Sequence, residues 1–508
     1  MSDRLYTSQQ ADEYINNLQI ETKLDKCIIA RIAFVYSLVK NGTDVSVIKD
    51  FSGGEIRQSS FMGNESYFIK TLVFFVYKRS DMSEDELYSN KSIIKNHIED
   101  GIRLLWDIFT KNNQNISAWY NDILKDINFK NIAKLSSDLD ICIGKDLMNN
   151  ENILMELNNT KIHPNSHLAI MGKPGVGKTQ FLLKILTDIR QQSNFQTNFI
   201  YFDYKGDVVS NNNFVNFTKA SQFRLLQNNE YLPINPFILN SYDEQSILIS
   251  AREKAENFSS INSRLGVVQK GTLTEIIVKA YNLRKNHENP FPDFNDVLSL
   301  AEQYYDENGK NDDSLIEILR DLSKFNLFWS HDSNIKPFDK ISNKSMIIDI
   351  HTMPVLKELV TYLVIERLYK EMASLPESYI KDDRREIRTI LVIDEAHNYL
   401  CQNNLFLQKI IREGRSKGIV VFFASQSPSD YQQNFFNFQE LLEFTFIFKC
   451  EGVSSSSIQD ILGCSTKTAK DLQIEIARLE PFHVISRSNK KIEEFMKLKT
   501  DVFYKCYD

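Results

Sequence analysis

Apolar side chains recur at helical spacing through most of the first 130 residues. The stretch 24–39 shows the spacing best, with Ile29 and Ala33 one turn apart on an apolar face. The same spacing predicts helices over 9–18, 24–39, 66–78 and 84–109. Polar residues then dominate 112–140, and we place a domain boundary there.

Beyond residue 145 the pattern changes to short apolar runs separated by amphipathic stretches. The apolar runs predict strands at 168–171, 198–203, 345–350, 389–394, 418–424, 444–449 and 483–486. Strands that alternate with helices in this way indicate parallel βαβ units and a doubly wound sheet. The stretch 243–327 is almost entirely helical, which predicts a helical insertion. The expected segments are a helical domain at 1–130, a linker at 131–165, an α/β domain at 166–490 and a tail at 491–508.

Composition narrows the class of protein without identifying it. With 508 residues, 42% hydrophobic and 25% charged, the chain resembles a globular protein of two or three domains. It has no apolar run long enough for a membrane span and no signal peptide pattern, so we expect a cytoplasmic protein. The six cysteines show no metal-binding spacing and are expected to be free thiols. A net charge of −7 means that any nucleic-acid contact must be local.

The most informative motif is G-x-x-x-x-G-K-T at 172–179, between a predicted strand and a predicted helix. Such a loop turns backbone N–H groups toward phosphates at a helix N-terminus. Lys178 is expected to reach the β- and γ-phosphates, and Thr179 to ligate Mg²⁺. The bland alternative is a glycine-rich turn. The predicted nucleotide contacts are Gly172, Pro174, Gly175, Val176, Gly177, Lys178, Thr179 and Gln180, with ATP and Mg²⁺ as ligands.

A second part of the predicted site follows the apolar run at 389–393. Two carboxylates, Asp394 and Glu395, come directly after this run, where the strands of an α/β sheet present functional side chains. Asp394 is expected near Mg²⁺, and Glu395 is expected to polarise the attacking water as a general base. The alternative is a buried strand that ends in a helix-capping aspartate.

Polar groups on the next predicted strand and on the helix before it complete the candidate set. Gln426, at the end of that strand, is placed to orient water or sense the γ-phosphate; a polar turn residue is the alternative. Arg412 and Arg415 lie where the preceding helix ends, from which an arginine can act on the nucleotide of a neighbouring subunit. Solvated cations that match the helix dipole are the competing interpretation.

The letters D-E-A-H at 394–397 suggest a superfamily-two helicase, but the chain after them is too short for the second RecA-like domain of such an enzyme. An ABC-type ATPase is also excluded, because the only signature-like fragment lies far before the P-loop. The order of motifs instead resembles the HerA/FtsK superfamily of ring-forming ATPases. The matching segments are G-K-P-G-V-G-K-T, D-Y-K-G-D at 203–207, L-P-I-N-P-F at 232–237, D-E-A-H, R-E-G-R-S-K-G at 412–418, A-S-Q at 424–426 and the closing 481–487.

This resemblance implies an α/β fold: a RecA-like P-loop core with a mostly parallel sheet and a helical insertion, preceded by an all-α N-terminal domain. It gives catalytic roles to Lys178, Thr179, Asp394, Glu395 and Gln426 and a trans role to Arg412 or Arg415. Either the acidic residues of D-Y-K-G-D support the metal, or Gly206 of this segment simply permits a turn. The HAS-type β-barrel that precedes the ATPase in HerA is not evident.

In its place, residues 1–130 resemble DndE, a helical protein of the DNA phosphorothioation system. The resemblance rests on Arg4-Leu5, the helix at 22–38 and the G-E-I to F-M-G segment at 54–63. It implies DNA binding, although the charge of this segment is nearly balanced. Candidate contacts are Lys23, Lys26, Arg31, Arg57, Lys70, Lys78 and Arg79, and for most of them the favoured interpretation is a solvated surface charge.

These features lead to two hypotheses about function. The first is a ring-forming, hexameric ATPase that binds and translocates duplex DNA in an anti-phage or phosphorothioation-linked restriction system, with a separate nuclease or other effector as partner. The second is a nucleotide-dependent scaffold that assembles and activates an effector without translocation. A conjugative coupling ATPase is less favoured, because no membrane anchor is predicted.

Overall fold

The computed structural model describes residues 4–77, 79, 81–112, 114–126, 138–227, 230–261, 265–353, 356–487 and 494–507. The chain divides into two compact units, Met1–Leu135 and Ser136–Asp508. We call them the N-terminal unit and the C-terminal unit and describe each by itself.

The N-terminal unit is built from helices around one apolar core. Its helices are α1 Gln9–Thr22, α2 Lys26–Asn41, α3 Gln58–Met62, α4 Ser66–Tyr77, α5 Glu84–Leu87, α6 Ile93–Lys111 and α7 Ile116–Asp126. Three of the four predicted helices are present, and the one predicted over 84–109 is divided into α5 and α6. Helix α7 lies in a stretch for which the sequence predicts a polar connection. The unit is also not purely helical, since β1 (Arg4–Tyr6) pairs antiparallel with β2 (Glu55–Arg57).

Helix α6 buries a set of titratable side chains inside this unit. The ammonium group of Lys95, which has no solvent exposure, donates to the Asp50 carbonyl at 2.7 Å and lies 3.4 Å from Glu99 Oε1. Glu99 also accepts from the backbone N–H and the hydroxyl of Ser8, at 2.6 and 2.7 Å. The charges of this pair are therefore compensated within the unit.

His97 forms a second closed network on the same helix. Its Nδ1 lies 2.9 Å from the Ser37 hydroxyl, and its Nε2 lies 2.9 Å from the Tyr77 hydroxyl. The Ser37 hydroxyl donates to the Asp100 carboxylate at 2.7 Å, so its oxygen accepts from Nδ1–H. Burial lowers the pKa of His97 to about 4, although Asp100 acts in the opposite direction, so the ring is neutral at pH 7.

Most of the basic candidates for DNA contact in this unit already have partners. Lys26 pairs with Asp12, Arg57 with Glu55, and Arg79 with Asp81. Lys70 pairs with Glu84, and Arg31 donates to the backbone carbonyls of Ser60 and Phe61. Lys78 lies outside the described residues. These contacts favour the interpretation as surface charges for most of the set.

The C-terminal unit is organised around one 11-stranded sheet. Its strands are β3 Asp140–Asp146, β4 Asn152–Glu156, β5 Leu168–Met171, β6 Asn198–Asp203, β7 Ser221–Arg224, β8 Met346–Asp349, β11 Thr389–Ile393, β12 Ile419–Ser425, β15 Phe444–Ile447, β16 His483–Arg487 and β17 Phe495–Thr500. Two short hairpins lie outside the sheet, formed by β9 Ile380–Lys381 with β10 Arg384–Arg385 and by β13 Gln432–Gln433 with β14 Phe436–Asn437.

The order across the sheet is β4-β3-β17-β16-β15-β5-β12-β11-β6-β8-β7. From β15 to β7 the neighbouring strands are parallel, and β5, β8, β11, β12 and β15 are buried along their whole length. Fully apolar strands of this kind are typical of a parallel sheet that is covered on both faces. All seven predicted strands are therefore present in it.

Four strands were not predicted. The segment expected as a linker, 131–165, contributes β3 and β4, and the segment expected as a tail, 491–508, contributes β17. These three strands extend the sheet in antiparallel fashion, with β17 between β16 and β3. The fourth strand, β7, lies at the opposite edge of the sheet. Residues of both segments thus belong to the same sheet as the strands of 166–490, and they were not predicted because partly exposed strands carry polar residues and lack a continuous apolar run.

Helices cover both faces of the sheet and form the predicted insertion. They are α8 Lys178–Gln192, α9 Asn212–Thr218, α10 Glu244–Ile261, α11 Val267–Arg284, α12 Phe294–Glu307, α13 Ser314–Lys324, α14 Lys357–Ser374, α15 His397–Leu400, α16 Leu405–Glu413, α17 Ser455–Leu462, α18 Thr466–Arg478 and α19 Phe503–Cys506. The insertion consists of α10–α13, and its core is continuous with one face of the sheet. A buried pair, Lys254 with Glu366 at 3.0 Å, joins α10 to α14.

Two sequence expectations about chemistry can be compared with the structure. All six cysteines are free thiols. A membrane-crossing helix is absent from the part of the chain that the structure describes.

Candidate nucleotide-hydrolysis site

The P-loop connects β5 to α8 in a conformation that requires glycine. Gly172, Gly175 and Gly177 have φ values of 156°, 82° and 107°, in a region that other residues rarely adopt. Gly177 caps α8, so the first helical N–H groups face the loop. A Cβ on Gly175 would have no atom within 4 Å, which leaves space above the loop. This cradle fits a polyphosphate at a helix N-terminus.

Lys178, the first residue of α8, is only 6% exposed. Its ammonium group donates to the loop carbonyls of Gly172, at 2.5 Å, and Lys173, at 3.1 Å. Burial lowers its pKa, while the charges of Glu395 and Asp394 raise it. The cation is therefore held beside the loop and within electrostatic reach of the acidic pair.

The sheet register brings the three predicted parts of the site together at the carboxyl ends of the parallel strands. Strand β12 lies between β5 and β11, with Ser425 opposite Met171 and Phe423 opposite Ile393. The P-loop, the acidic pair and Gln426 each follow one of these parallel strands, so all three lie at the same end of the strands. The structure therefore brings together the predicted site residues of the P-loop, the acidic strand and Gln426.

Asp394 is buried at the carboxyl end of β11, with 1% exposure. Its two oxygens accept from the Tyr201 hydroxyl at 3.1 Å and from the Glu395 N–H at 2.8 Å. Burial raises its pKa to about 6, against the opposing charge of Lys205. A carboxylate in this position is the type of ligand that Mg²⁺ prefers, and a hydroxyl such as that of Thr179 is compatible with it.

Glu395 is held in a strained backbone conformation, with φ of 49°. Its carboxylate accepts from Gln426 Nε2 at 3.0 Å, pairs with Lys205, and lies 3.4 Å from His397 Nδ1. Burial favours the neutral acid, but the contacts with Gln426 and Lys205 outweigh it and lower the pKa. Glu395 is thus an ionised, oriented carboxylate, as a general base requires.

In the D-Y-K-G-D segment, Asp203 stabilises a turn and Lys205 contacts the acidic pair. Asp203 has no exposure, and its carboxylate accepts from the N–H groups of Lys205, Gly206 and Val209, at 3.1, 2.9 and 2.8 Å. These bonds hold the turn after β6, which supports the turn interpretation. Lys205, which sequence reasoning did not single out, contacts Glu395 from the neighbouring strand end. No signal in the sequence indicated this cross-strand contact.

The two candidate arginines lie at the amino-terminal ends of the strands, opposite the end that carries the P-loop. Arg412 is in the last turn of α16, and Arg415 is in the short 3₁₀ turn Gly414–Lys417 that leads into the start of β12. Because β12 has seven residues, it spans about 20 Å between this turn and Gln426. Neither arginine belongs to the cluster formed by Lys178, Asp394 and Glu395.

The surroundings of the two arginines differ. The Arg412 guanidinium lies 4.6 Å from the centre of the Phe436 ring. Arg415 is half-buried beside Arg385, whose pKa is lowered by burial and then by the charge of Arg415. The Arg385 Nε is buried and has no hydrogen-bond partner among the described residues. Two guanidinium groups therefore lie next to each other at this end of the strands, and the Arg385 group also donates to the Ser378 hydroxyl at 2.9 Å.

Outside this site, one group of described residues has the composition of a metal centre: Asp293, Asp296 and His331. The Asp293 carboxylate caps α12 and accepts from the His331 N–H at 2.7 Å. Asp296 pairs with Arg284 at 2.6 Å. Because these oxygens already have donors, we interpret the cluster as a structural junction within the insertion.

Comparison with known families agrees with this geometry. Residues 141–372 match the family model described as "Helicase HerA, central domain", and residues 4–113 match that of "DNA sulphur modification protein DndE". Each part of the chain therefore resembles one of these families, DndE over residues 4–113 and the HerA central domain over residues 141–372. The predicted family resemblance and the predicted α/β fold are both confirmed.

Two relatives illustrate the range of similar proteins. The DNA import protein CedB of Sulfolobus acidocaldarius is 24% identical over 476 residues, which cover 85% of this chain and 70% of CedB. The structure of VirB4 of Thermoanaerobacter pseudethanolicus has a TM-score of 0.55 at 16% identity and covers 72% of this chain and 96% of VirB4. The VirB4 likeness concerns the fold alone.

A third similar structure is the plasmid coupling protein TrwB in complex with ADP and Mg²⁺. It has a TM-score of 0.44 at 14% identity and covers 66% of this chain and 85% of TrwB.

Proposed function

We propose that the protein is an ATP-hydrolysing motor that acts on duplex DNA as a ring of identical subunits, a hexamer, and works with a separate nuclease or other effector. The observation that carries this proposal is the division of the site between the two ends of the parallel strands. The P-loop and the acidic pair meet at the carboxyl ends of the strands, whereas Arg415 lies about 20 Å away at their amino-terminal ends.

Each candidate residue at the carboxyl ends of the strands has a distinct role in ATP hydrolysis. The P-loop N–H groups and Lys178 bind the β- and γ-phosphates, and Glu395 takes a proton from the attacking water. Gln426 holds the Glu395 carboxylate by its 3.0 Å hydrogen bond. Thr179 and Asp394 are the residues that would hold Mg²⁺, which neutralises phosphate charge when bound.

A second copy of the chain supplies the missing cation. Arg415 is too far from its own P-loop, but a head-to-tail arrangement can place it at the nucleotide of a neighbour. Its repulsion with Arg385 would be relieved by an anion such as a γ-phosphate. An arginine supplied in this way typically raises the hydrolysis rate by 10³–10⁵. We favour Arg415 over Arg412, which lies against Phe436.

The assignment of DNA as the substrate rests on the two halves of the chain together. The name of the DndE family refers to DNA sulphur modification, and the name of CedB refers to DNA import. Both halves therefore resemble proteins that handle DNA. An anti-phage or phosphorothioation-linked restriction system, in the cytoplasm, is the setting that fits this combination.

A mixing experiment tests the division of the site. Lys178→Ala and Arg415→Ala are each expected to abolish ATP hydrolysis with duplex DNA present. In a 1:1 mixture, about a quarter of the interfaces combine an intact P-loop with an intact arginine, so activity should return in that proportion. Arg252→Ala, at an exposed arginine of the insertion, is the matched control.

Three results would contradict parts of the proposal. If the mixture stays inactive while both variants assemble with each other, Arg415 does not act in trans. If the wild type is monomeric by mass photometry and its ATP hydrolysis ignores DNA, the ring motor is wrong. If Glu395→Gln binds ATP without turnover and still activates an effector nuclease, the protein is a nucleotide-dependent scaffold.

A further inference from the structure

A cavity of about 430 Å³ lies beside the P-loop, on the side away from the acidic pair. Its lining includes Phe482, Cys506, the three lysines Lys145, Lys499 and Lys505, and the two aspartates Asp146 and Asp501. All of them except Phe482 belong to the β3–β4 hairpin or to the segment that follows β16. The cavity therefore depends on the antiparallel extension of the sheet.

The sheet order fixes the direction of this cavity relative to the catalytic groups. Asp394 and Glu395 follow β11, on one side of the P-loop strand β5. Phe482 precedes β16, and Thr500 ends β17, on the other side of β5. Because β16 runs antiparallel to β15, its first residue lies at the same end of the strands as the P-loop. A nucleotide with its γ-phosphate at Glu395 can therefore extend its other end toward this cavity.

Phe482 connects the cavity directly to the P-loop. Its N–H donates to the Val176 carbonyl at 3.0 Å. A Cβ added to Gly177 would lie 2.4 Å from Phe482 Cδ1, so the ring lies against the last glycine of the loop. Phe482 also has a φ of 65°, which is costly for an aromatic residue. The structure thus holds a half-exposed aromatic ring at the point where the phosphates end.

The opposite wall is fixed to the P-loop helix. The Tyr504 N–H donates to Gln180 Oε1 at 3.3 Å, and the Tyr507 hydroxyl bonds to Asp188. Phe503 is buried and packs edge-to-face on Phe214, with ring centres 5.7 Å apart. These contacts hold α19 against α8, so the cavity is a preformed part of the unit.

We propose that this cavity is the nucleoside subsite, in which the base of ATP packs on Phe482 and the ribose lies among Lys145, Lys499 and Lys505. The inference rests on the proposed binding of ATP to the P-loop and adds the residues that receive the rest of the nucleotide. A cavity of this volume falls in the range of small-molecule sites, and aromatic rings stack on bases of any sequence.

Cys506 provides a direct test, because it is an exposed thiol in the cavity wall. In the full chain, ATP with Mg²⁺ is expected to slow maleimide labelling of Cys506 at least fivefold. Inorganic tripolyphosphate, which fills only the P-loop, should leave labelling unchanged. Cys27 of the N-terminal unit, a partly exposed thiol, is the internal control.

A substitution series supplies the second measurement. Phe482→Ala is expected to weaken ATP binding by about tenfold, the effect of losing one stacking contact, and to leave tripolyphosphate binding unchanged. Phe482→Tyr should restore ATP binding. Equal weakening of both ligands would show that Phe482 only supports the loop, and the subsite would be rejected.

The two proposals fail in different ways. If the wild type binds ATP and tripolyphosphate equally well and ATP does not protect Cys506, the nucleoside subsite is wrong while the P-loop assignment stands. If the wild type binds neither ligand, the proposed ATPase function is wrong, and the subsite is rejected with it.

Discussion

The two units of the chain bury charged groups in different ways. In the N-terminal unit, Lys95 and Glu99 neutralise each other, and His97 has a partner on each ring nitrogen. In the C-terminal unit, Lys178 and the acidic pair surround an open glycine cradle instead. A buried titratable group therefore points to a ligand site only where its contacts leave room for a ligand. Substitutions should affect stability in the first unit and turnover in the second.

The largest effect is expected for Glu395→Gln. Loss of the general base should lower ATP turnover by about 10²–10⁴-fold, while ATP binding is retained because the P-loop is unchanged. Steady-state hydrolysis and nucleotide binding measure the two effects separately. Glu307→Gln, at an exposed glutamate that ends α12, is the matched control. A loss of less than fivefold would show that another group activates the water.

Glu99→Ala tests the opposite behaviour in the N-terminal unit. Removing this carboxylate leaves the Lys95 ammonium buried without its ionic partner, so the free energy of unfolding of the unit should fall by about 3 kcal/mol. Hydrogen exchange of the α6 amides reports the change. Basal ATP hydrolysis should stay near the wild-type value. In the control variant Glu21→Ala, both the hydrogen exchange of α6 and basal ATP hydrolysis should stay near their wild-type values. A large loss of basal hydrolysis with unchanged exchange would reverse the comparison.

The pH dependence of the N-terminal unit is governed in part by His97. Its folded pKa of about 4 lies below the usual 6.5, so the unfolded chain binds a proton that the folded unit excludes. Stability is full above pH 6.5 and decreases as the pH falls toward 4, by about 2 kcal/mol between pH 7.5 and 5. Hydrogen exchange of α6 at both pH values measures this loss. His97→Gln should remove most of it; an unchanged pH profile would assign the effect to other groups.

The smallest effect is expected for Gln426→Ala. Gln426 acts on the reaction through the orientation of Glu395, so its loss should lower turnover by about tenfold and leave ATP binding unchanged. Gln433→Ala, on a hairpin outside the sheet, is the control. If the ATP affinity falls and the turnover number does not, Gln426 contacts the nucleotide rather than the base.

The fold could be predicted where strands are wholly buried. Continuous apolar runs such as those of β11 and β12 identify themselves, because they face helices on both sides of the sheet. The strands β3, β4 and β17 were missed, since their exposed positions carry charged residues. Their pairing, with Lys145 opposite Lys499, joins parts of the chain that no local pattern connects.

The site was predicted where the chemistry is contained in a short motif. The P-loop and the acidic pair could be located because each motif carries its own strand end. The contact between Lys205 and Glu395 could not, since it depends on which strands are neighbours in the sheet. Phe482 escaped notice for the same reason: its value lies in its position against Gly177.

The pairing of β17 with β3 also has a consequence for the synthesis of the protein. The β3–β4 hairpin leaves the ribosome early, but its neighbour in the sheet, β17, emerges only when translation reaches residue 500. At typical elongation rates this delay lasts roughly twenty seconds to a minute. During that interval one edge of the nascent sheet is unpaired, and the Phe482 side of the P-loop lacks its outer wall. Competence to bind nucleotide fully is therefore expected to be among the last properties that the newborn chain acquires.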